Sequence, residues 1–380
     1  MITRVEAYNY RCLKDVSVPL GPFHILVGPN GSGKSTFLDV IAFLQTFVTD
    51  GLEAAFEERT RNPVDLSWAR SPAGIQLSVE AQRRDDAKTM RYSIKIGGVS
   101  AEAPQILEEV LKFTTGGDRP IILRSYSGNT GFVPEEGPQL QGKSDYLFAK
   151  TLSAFGNLPD DRSRFPDALW LRDLLQNGVR PFALESAELR KASRREKGKI
   201  LRWDGSGLPW LIRDLQESHP GVFQNWLAHV RMAIPTLEDI RVSLREDEGT
   251  AFLVLRYSDG LEAPSWVVSD GTLQLIALTA LGYVPWFSGI YLIEEPENGI
   301  HPMNMQEIYD SLSSVYDGQV LVASHSPVFL SIAQKKELLC FMKDKEGATE
   351  IVPGDKLPAL EDWRGEVDLG SLFATGILGQ

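Results

Sequence analysis

The segment that decides the fold spans residues 21–41 and reads GPFHILVGPNGSGKSTFLDVI. A β-rich run from Phe23 to Val27 leads into a glycine-rich stretch, and apolar residues then recur at helical spacing between 36 and 47. The stretch fits the pattern G-x-x-x-x-G-K-S, which holds phosphate groups when a strand precedes it and a helix follows it. The sequence therefore predicts a phosphate-binding loop at residues 28–35, called here the phosphate loop.

Each residue type in the phosphate loop has a physical role. Gly28, Gly31 and Gly33 let the backbone curl so that successive N–H groups point inward at phosphates, and the following helix adds its N-terminal dipole. We expect Lys34 to reach the β- and γ-phosphates of ATP and Ser35 to ligate Mg²⁺. The alternative is a glycine-rich turn with a chance lysine, and the flanking strand and helix favour the phosphate site.

Length and charge narrow the class of protein. The chain has 380 residues, which favours one large domain with an insertion, or two domains. A formal charge of −12 argues against a surface that is basic throughout, although it leaves room for a local basic groove. Two cysteines, Cys12 and Cys340, are typical of a reducing compartment. With no apolar signal segment and no long apolar run, we expect a cytoplasmic protein without a membrane span.

Alternating strand and helix patterns along the chain predict an α/β fold. A helical pattern covers about 145–235, and 114–143 is rich in Gly, Pro, Ser and Thr and is predicted to be a loop. The remaining predicted elements are short strands in 2–27, a hairpin at 74–80 and 90–96, strands in 238–258, a helix at 273–281, strands at 290–293 and 320–323, and a hairpin around 345–347.

A second candidate site follows the apolar strand Ile290–Ile293, where Glu294 and Glu295 come next. A buried strand that delivers carboxylates to its carboxyl end is typical of ligand sites in α/β sheets. One acid can hold Mg²⁺ through water, and the next can orient and polarise the attacking water. The alternative is a solvated acidic turn after a core strand.

Two further segments place polar residues beside predicted elements. His325 follows the strand at 320–323, where it can touch a γ-phosphate or simply cap a loop. Ser269, Asp270 and Gly271 open the helix at 273–281, either as a second anion-binding nest or as an ordinary N-cap. One nucleotide does not need two nests, so the second would serve another subunit's site.

The order of these segments resembles the ATP-binding cassette-type heads of the RecF/SMC class and, more closely, the AAA-21 or OLD-like ATPases. The resemblance rests on GPFHILVGPNGSGKSTFLDVI at 21–41, DGSGLPWLIRDL at 204–215, SDGTLQLIAL at 269–278, YLIEEPENGIHP at 291–302 and VASHSP at 322–327. It implies a two-lobed α/β head with a mostly helical insertion. The domains would be a first head part at 1–130, the insertion at 131–235 and a second head part at 236–380.

The resemblance also implies roles for individual residues. Glu294 would take the Walker B metal position, Glu295 the catalytic base position and His325 the switch position. Ser269, Asp270 and Gly271 would form the signature, which contacts the γ-phosphate on the opposite protomer. Glu in place of Asp at 294, and Ser-Asp-Gly in place of Ser-Gly-Gly, are both usual in the OLD-like branch. Walker A would comprise Gly28, Pro29, Asn30, Gly31, Ser32, Gly33, Lys34, Ser35 and Thr36.

At the level of function, the resemblance implies an ATP-hydrolysing head that forms a homodimer or higher oligomer on ATP. It also implies control of an effector, such as a nuclease or Toprim-like protein, in bacterial anti-phage defence. Few residues follow His325, so we expect the effector to be a separate polypeptide. The rival interpretations are a RecF-like DNA repair ATPase, a nucleotide-dependent scaffold with negligible turnover and, more weakly, a transporter cassette.

A basic run stands out in this acidic chain. It offers a contact for nucleic acid or a partner, or else forms a solvated face. Its members are Arg190, Lys191, Arg194, Arg195, Lys197, Lys199 and Arg202.

Overall fold

The computed structural model describes residues 1–86, 88–99, 104–114, 120–125, 129–132, 135, 146–147, 151–195, 201–360 and 368–375. Two compact units make up this part of the chain. Unit 1 holds the described residues of Met1–Val179 together with Leu339–Leu357. Unit 2 holds the described residues of Arg180–Leu338 and of 358–378.

Unit 1 contains a large antiparallel sheet. Its strands are β1 (Ile2–Tyr10), β2 (Leu13–Pro19), β4 (Ile75–Gln82), β5 (Thr89–Gly97), β6 (Gln105–Phe113), β7 (Pro120–Ser125), β8 (Asn129–Phe132) and β9 (Tyr146–Leu147). They follow one another across the sheet in the order β2-β1-β4-β5-β6-β7-β8-β9. Alternate residues of β4 are buried, which is the period of two that a strand with one covered face requires.

The hairpin of β4 and β5 shows how the pattern sets the register. Leu77 lies opposite Ile94 and Val79 lies opposite Tyr92, and all four side chains are buried. A slip of one residue would turn this apolar set to the other face of the sheet. The predicted hairpin at 74–80 and 90–96 is therefore confirmed.

The prediction of a loop over 114–143 is wrong where the structure describes that segment. Both β7 and β8 lie within it, and β7 pairs with β6 through Val110 opposite Leu123 and Leu111 opposite Ile122. The Gly and Pro residues led to the prediction of one loop over the whole segment. The apolar run 121–123 nevertheless has the composition of a strand. The residues at 115–119, 126–128, 133–134 and 136–143 lie outside the described residues.

A second set of strands in unit 1 carries the phosphate loop. Strand β3 (Phe23–Val27) neighbours β17 (Leu338–Lys343), which pairs antiparallel with β18 (Thr349–Pro353). The predicted hairpin around 345–347 is thus confirmed. The helices of unit 1 are α1 (Lys34–Asp50), α2 (Leu52–Glu57) and α3 (Pro166–Asp173), and a π-helical turn at Leu174–Gly178 continues α3.

Unit 2 has its own antiparallel sheet and helical layer. Strand β13 (Thr250–Tyr257) pairs with β11 (Ser193–Arg194), β12 (Leu237–Arg245) and β14 (Glu262–Pro264). The sheet packs in one apolar core with the helices α4 (Ser186–Arg190), α5 (Leu208–Ser218), α6 (Pro220–Ala233) and α7 (Asp270–Leu281). Trp226 is fully buried there, and its indole N–H donates to Thr279 Oγ1 at 3.1 Å.

The rest of unit 2 surrounds a short parallel pair. Strands β15 (Ile290–Glu294) and β16 (Gln319–Ser324) run parallel, with Ile293 opposite Val322 and Glu294 opposite Ala323. The other elements are β10 (Val179–Phe182), which neighbours β15, and the helices α8 (Met305–Ser313), α9 (Pro327–Ile332) and α10 (Leu369–Ala374). Parallel strands whose residues are buried on both faces read as continuous apolar runs, which is why both could be located from sequence.

The mixed sheets and helices confirm the α/β fold class. Helices α3 to α6 all fall within the segment predicted to be helical, although short strands at 146–147, 179–182 and 193–194 interrupt it. The domain boundaries at 130 and 235 stay a prediction.

Among the described residues, no helix combines the length and the apolar character that crossing a bilayer requires.

Candidate functional site

The phosphate loop in unit 1 is held in shape by close backbone packing. Gly28, Gly31 and Gly33 have backbone φ values of 156°, 75° and 110°, which residues with a Cβ atom rarely adopt. A Cβ on Gly28 would lie 2.3 Å from the Phe341 carbonyl oxygen. One on Gly33 would lie 2.5 Å from Thr349 Oγ1. The loop therefore requires glycine at both positions because it rests directly on β17 and β18.

Lys34 points back into the phosphate loop. Its Nζ donates to the carbonyl oxygens of Gly28 at 2.8 Å and Pro29 at 3.1 Å, and its side chain is buried. An ammonium group enclosed by a loop at the start of α1 adds its charge to the positive end of the helix dipole. Positive charge at this position favours an anion, and the contacts of Lys34 with phosphates stay a prediction.

Thr349 was not identified from sequence, yet it touches the phosphate loop from β18. Its Oγ1 donates to the Ser32 carbonyl oxygen at 2.7 Å, and its backbone N–H donates to the Cys12 carbonyl oxygen at 2.9 Å. Because Thr349 is 317 residues from Ser32 in sequence, no local pattern could reveal this contact. It ties the loop to the hairpin that follows β17.

Unit 2 carries the acids and the histidine. Glu294 ends β15, and residues 294–300 form a tight bend that we call the acidic turn. Residues 324–326, at the end of β16, form what we call the histidine loop. The parallel pairing of β15 and β16 brings both segments to the same edge of the sheet.

Glu295 is held in an unusual conformation. Its φ is 48°, a left-handed value that costs a non-glycine residue about 1–3 kcal/mol. Its backbone N–H donates to the Ala323 carbonyl oxygen at 2.8 Å, and its Oε2 accepts a 2.6 Å hydrogen bond from Asn298 Nδ2. Its Oε1 lies 3.7 Å from His325 Nε2. The structure thus brings Glu294, Glu295 and His325 together, while their catalytic roles stay predictions.

A pocket of about 470 Å³ opens beside these acids within unit 2. Its lining combines apolar residues with the polar residues Glu185, Gln274, Glu294, Glu295 and Asn298. It provides space for a ligand or water next to both predicted acids.

The predicted signature residues lie at the start of α7. Ser269 caps the helix, accepting a hydrogen bond from the Thr272 backbone N–H at 3.2 Å. Asp270 is bound by Arg190, whose Nε and Nη2 lie 2.8 Å and 2.6 Å from Oδ1. The N-cap interpretation therefore holds for Ser269, and an additional anion-binding role for the segment stays a prediction.

Gly271 packs against the acidic turn. A Cβ at this position would lie 2.4 Å from the Gly299 carbonyl oxygen, so the two backbones are in direct contact. The signature segment and the acidic turn, predicted separately from sequence, are thus neighbours within unit 2.

Three of the five described members of the basic run form ion pairs with acids. Beside the Arg190 pair with Asp270, Lys191 pairs with Glu188 and Arg195 pairs with Asp214. Lys197 and Lys199 lie outside the described residues. These pairs weaken the case for a nucleic-acid contact built on this run.

The donor chemistry fits ATP and Mg²⁺. Ser32 Oγ is buried and has no hydrogen-bond partner among the described residues, as suits a hydroxyl facing a ligand site. Ser35 and Glu294 are both exposed and offer oxygen donors, which Mg²⁺ prefers. Within the described part of the chain, no group of three or more His, Cys, Asp or Glu side chains is arranged around a metal position. Magnesium sites that share their ligands with substrate phosphates and water need only one or two protein groups.

A protein-family model described as "AAA domain, putative AbiEii toxin, Type IV TA system" matches residues 124–331. Because that match covers more than half of the chain, the chain belongs to this family of AAA-type ATPases. A second model, described as "AAA ATPase domain", matches residues 1–70. These matches confirm the resemblance drawn from the sequence.

Curated relatives include two OLD nucleases. The OLD nuclease of Thermus scotoductus is 27% identical over 392 residues, covering 99% of this chain and 69% of that protein. The Old nuclease of Escherichia phage P2 is 22% identical, over 91% of this chain and 60% of that protein. A shorter match, 38% identical over 25% of this chain and 28% of the relative, is to the sn-glycerol-3-phosphate import ATP-binding protein UgpC of Burkholderia lata.

Solved structures show the same fold. The SmcHead bound to the C-winged helix domain of ScpA matches with a TM-score of 0.58 and 16% identity, over 92% of this chain and 97% of that one. The Smc head domain derived from Pyrococcus furiosus, bound to the C-terminal domain of ScpA, matches with a TM-score of 0.52 and 13% identity, over 93% and 96%. The chain therefore has the fold of an SMC head.

Proposed function

We propose that this chain binds and hydrolyses ATP, and that ATP binding pairs two copies head to head. The observation that carries the proposal is that both units present groups suited to ATP. Unit 1 presents the phosphate loop around the buried Lys34 ammonium. Unit 2 presents the contact between Glu295 and His325 at the ends of β15 and β16.

Each side chain has a defined task in this proposal. Lys34 exchanges the carbonyl oxygens of Gly28 and Pro29 for oxygens of the β- and γ-phosphates. Glu295 orients the attacking water and accepts its proton, and His325 contacts the γ-phosphate. Ser35 and Glu294 would hold Mg²⁺, which when bound neutralises charge on the phosphate oxygens.

Head-to-head pairing would place the signature of one copy over the nucleotide of the other. The helix dipole and N–H groups at the start of α7 favour a phosphate there, while a bare Asp270 carboxylate would repel it. The ion pair with Arg190 offsets that charge.

We further propose that the ATPase cycle controls an effector of the nuclease or Toprim-like class in anti-phage defence, in the cytoplasm. The support is similarity to OLD nucleases along 99% and 91% of this chain. Co-purification of the chain with the products of neighbouring genes, with and without ATP, tests this level of the proposal, and recovery of no nuclease-class partner in either condition contradicts it.

The ATPase proposal is tested by Glu295→Gln, with Glu246→Gln as a control that makes the same charge change on an exposed turn of unit 2. We expect Glu295→Gln to lose ATP turnover by on the order of 100-fold or more, because it removes the general base. With saturating ATP, the molar mass of the Glu295→Gln variant measured by light scattering should be twice that of the 42.2 kDa chain. Turnover equal to wild type supports a scaffold rather than an ATPase, and a monomer at saturating ATP contradicts the pairing.

A further inference from the structure

One carboxylate joins the acidic turn to the histidine loop. Glu297 Oε1 accepts a hydrogen bond from the His325 backbone N–H at 2.7 Å and another from Ser324 Oγ at 2.9 Å. Ser324 is fully buried, and its Oγ in turn accepts from the Ser326 backbone N–H at 3.1 Å. The Glu297 side chain therefore holds the His325 backbone directly and the Ser326 backbone through the Ser324 hydroxyl.

These bonds begin where the strand pairing ends. The register of β15 and β16 runs to Glu294 opposite Ala323, and the Glu295 backbone N–H adds a further bond to Ala323. Beyond that point Glu297 supplies the acceptor for the next backbone N–H of the neighbouring segment. Hydrogen bonds from a backbone N–H to a carboxylate are roughly twice as strong as neutral ones. The contact is thus suited to holding a loop that has left the sheet.

The same turn also holds Glu295. Asn298, the residue after Glu297, donates to Glu295 Oε2 at 2.6 Å. Two consecutive residues of the acidic turn therefore fix the two partners of the 3.7 Å contact between Glu295 and His325. Asn298 fixes the carboxylate, and Glu297 fixes the backbone that carries the imidazole.

We propose that Glu297 is a positioning residue that sets His325 at its working distance from Glu295. This inference rests on the proposed ATPase function, in which those two side chains act on ATP. A misplacement of about 1 Å in a catalytic group can reduce a rate by roughly 100-fold. Loss of the Glu297 contacts should therefore slow turnover. It should leave nucleotide binding intact, because the phosphate loop takes its shape from contacts within unit 1.

Three substitutions of Glu297 remove, keep or shorten its hydrogen bonds to the histidine loop. Glu297→Ala removes the acceptor of both bonds, and we expect kcat to fall by about 10- to 100-fold with KM for ATP within about twofold. Glu297→Gln keeps an oxygen at the bonding position, and Oε2 has no donor among the described residues, so kcat should stay within about threefold of wild type. Glu297→Asp shortens the reach by one methylene and should fall between them.

A double-mutant cycle with His325→Ala separates positioning from general stability. If Glu297 acts through His325, then Glu297→Ala should have little further effect on kcat once the imidazole is gone. Melting temperatures of all variants check that the chain still folds. Should Glu297→Ala not fold, Glu297→Gln and Glu297→Asp carry the same comparison.

Three results would overturn the inference. They are an unchanged kcat in Glu297→Ala, equal impairment in Glu297→Gln and Glu297→Ala, and additive losses when Glu297→Ala is combined with His325→Ala. The proposed function fails separately, when wild type does not turn over ATP or when Glu295→Gln does so normally. If Glu295→Gln is inactive while Glu297→Ala is fully active, the positioning role of Glu297 is wrong and the proposed ATPase function still stands.

Discussion

The phosphate loop and the acidic turn reach their shapes by different means. The loop is specified by steric packing: Gly28 and Gly33 rest against β17 and β18 with no room for a side chain. The acidic turn is held by hydrogen bonds: Asn298 donates to the exposed Glu295 carboxylate, and the Glu295 backbone N–H donates to the Ala323 carbonyl oxygen. The comparison predicts that changes in the loop alter nucleotide binding, whereas changes in the turn alter turnover.

The largest effect on binding is expected from Lys34→Ala. It should weaken ATP binding by on the order of 100-fold, because charged hydrogen bonds to phosphate contribute about 1.5–3 kcal/mol each. Isothermal titration with ATP measures the loss, and Lys95→Ala on the exposed face of β5 is the matched control. Glu295→Gln should bind ATP as wild type does. Equal loss of affinity in the Lys34 and Glu295 variants would remove the distinction between the two regions.

Comparing alanine substitutions at two glycines of the phosphate loop tests whether close packing determines its shape. Gly33→Ala meets Thr349 Oγ1 at 2.5 Å and Cys12 Sγ at 3.0 Å, whereas Gly31→Ala meets nothing within 4 Å. Both positions have positive φ, so both substitutions carry backbone strain of about 1–2 kcal/mol. Overpacking should add about 1–3 kcal/mol of destabilisation for Gly33→Ala alone. Urea denaturation provides the two free energies of unfolding, and equal values would show that the loop is not packed as described.

A smaller effect is expected from the single hydrogen bond between Thr349 and the loop. Thr349→Val keeps the shape but leaves the Ser32 carbonyl oxygen without this donor, which corresponds to about 0.5–1.5 kcal/mol. The dissociation constant for ATP should rise by about two- to tenfold, and Thr349→Ser should restore it. Turnover at saturating ATP should not change. A lower kcat with unaltered affinity for ATP would show that Thr349 affects turnover, as the acidic turn does, and not nucleotide binding.

The smallest effect should come from the ion pair at the signature. Arg190 is about one-third exposed and Asp270 about one-half, so solvent screens the pair and it is worth at most about 1 kcal/mol. Arg190→Ala should therefore weaken ATP-dependent pairing of two copies by about threefold, because the charge of Asp270 then faces the phosphate. Adding Asp270→Asn should reverse the defect. Sedimentation velocity with ATP measures both, and a double variant weaker than the single one contradicts this role for Arg190.

The same contrast explains what could be predicted from sequence. Local periodicity predicts the strand before Gly28, helix α1 and the apolar strands β15 and β16. The resemblance to a known family indicated which residues at the ends of these elements have functional roles. The strands at 120–125 and 129–132 were missed because Gly and Pro around them mark turns rather than one continuous loop.

Contacts that join distant segments leave no local pattern. The bond from Thr349 to Ser32, the bonds from Ser324 and His325 to Glu297, and the ion pair of Arg190 with Asp270 all depend on the tertiary fold. Arg190 in particular belonged to a basic run whose composition suggested nucleic acid, and its partner lies 80 residues away in sequence.

Mixing two differently impaired variants tests the central claim most directly. Lys34→Ala disables the phosphate loop and Ser269→Arg disables the signature, so each variant alone should be inactive. In a mixed pair, one composite site carries both defects and the other carries none. An equimolar mixture should therefore regain about a quarter of wild-type ATP turnover, since half of the pairs are mixed and each has one intact site of two. A mixture no more active than its components would show that a second copy does not complete the site.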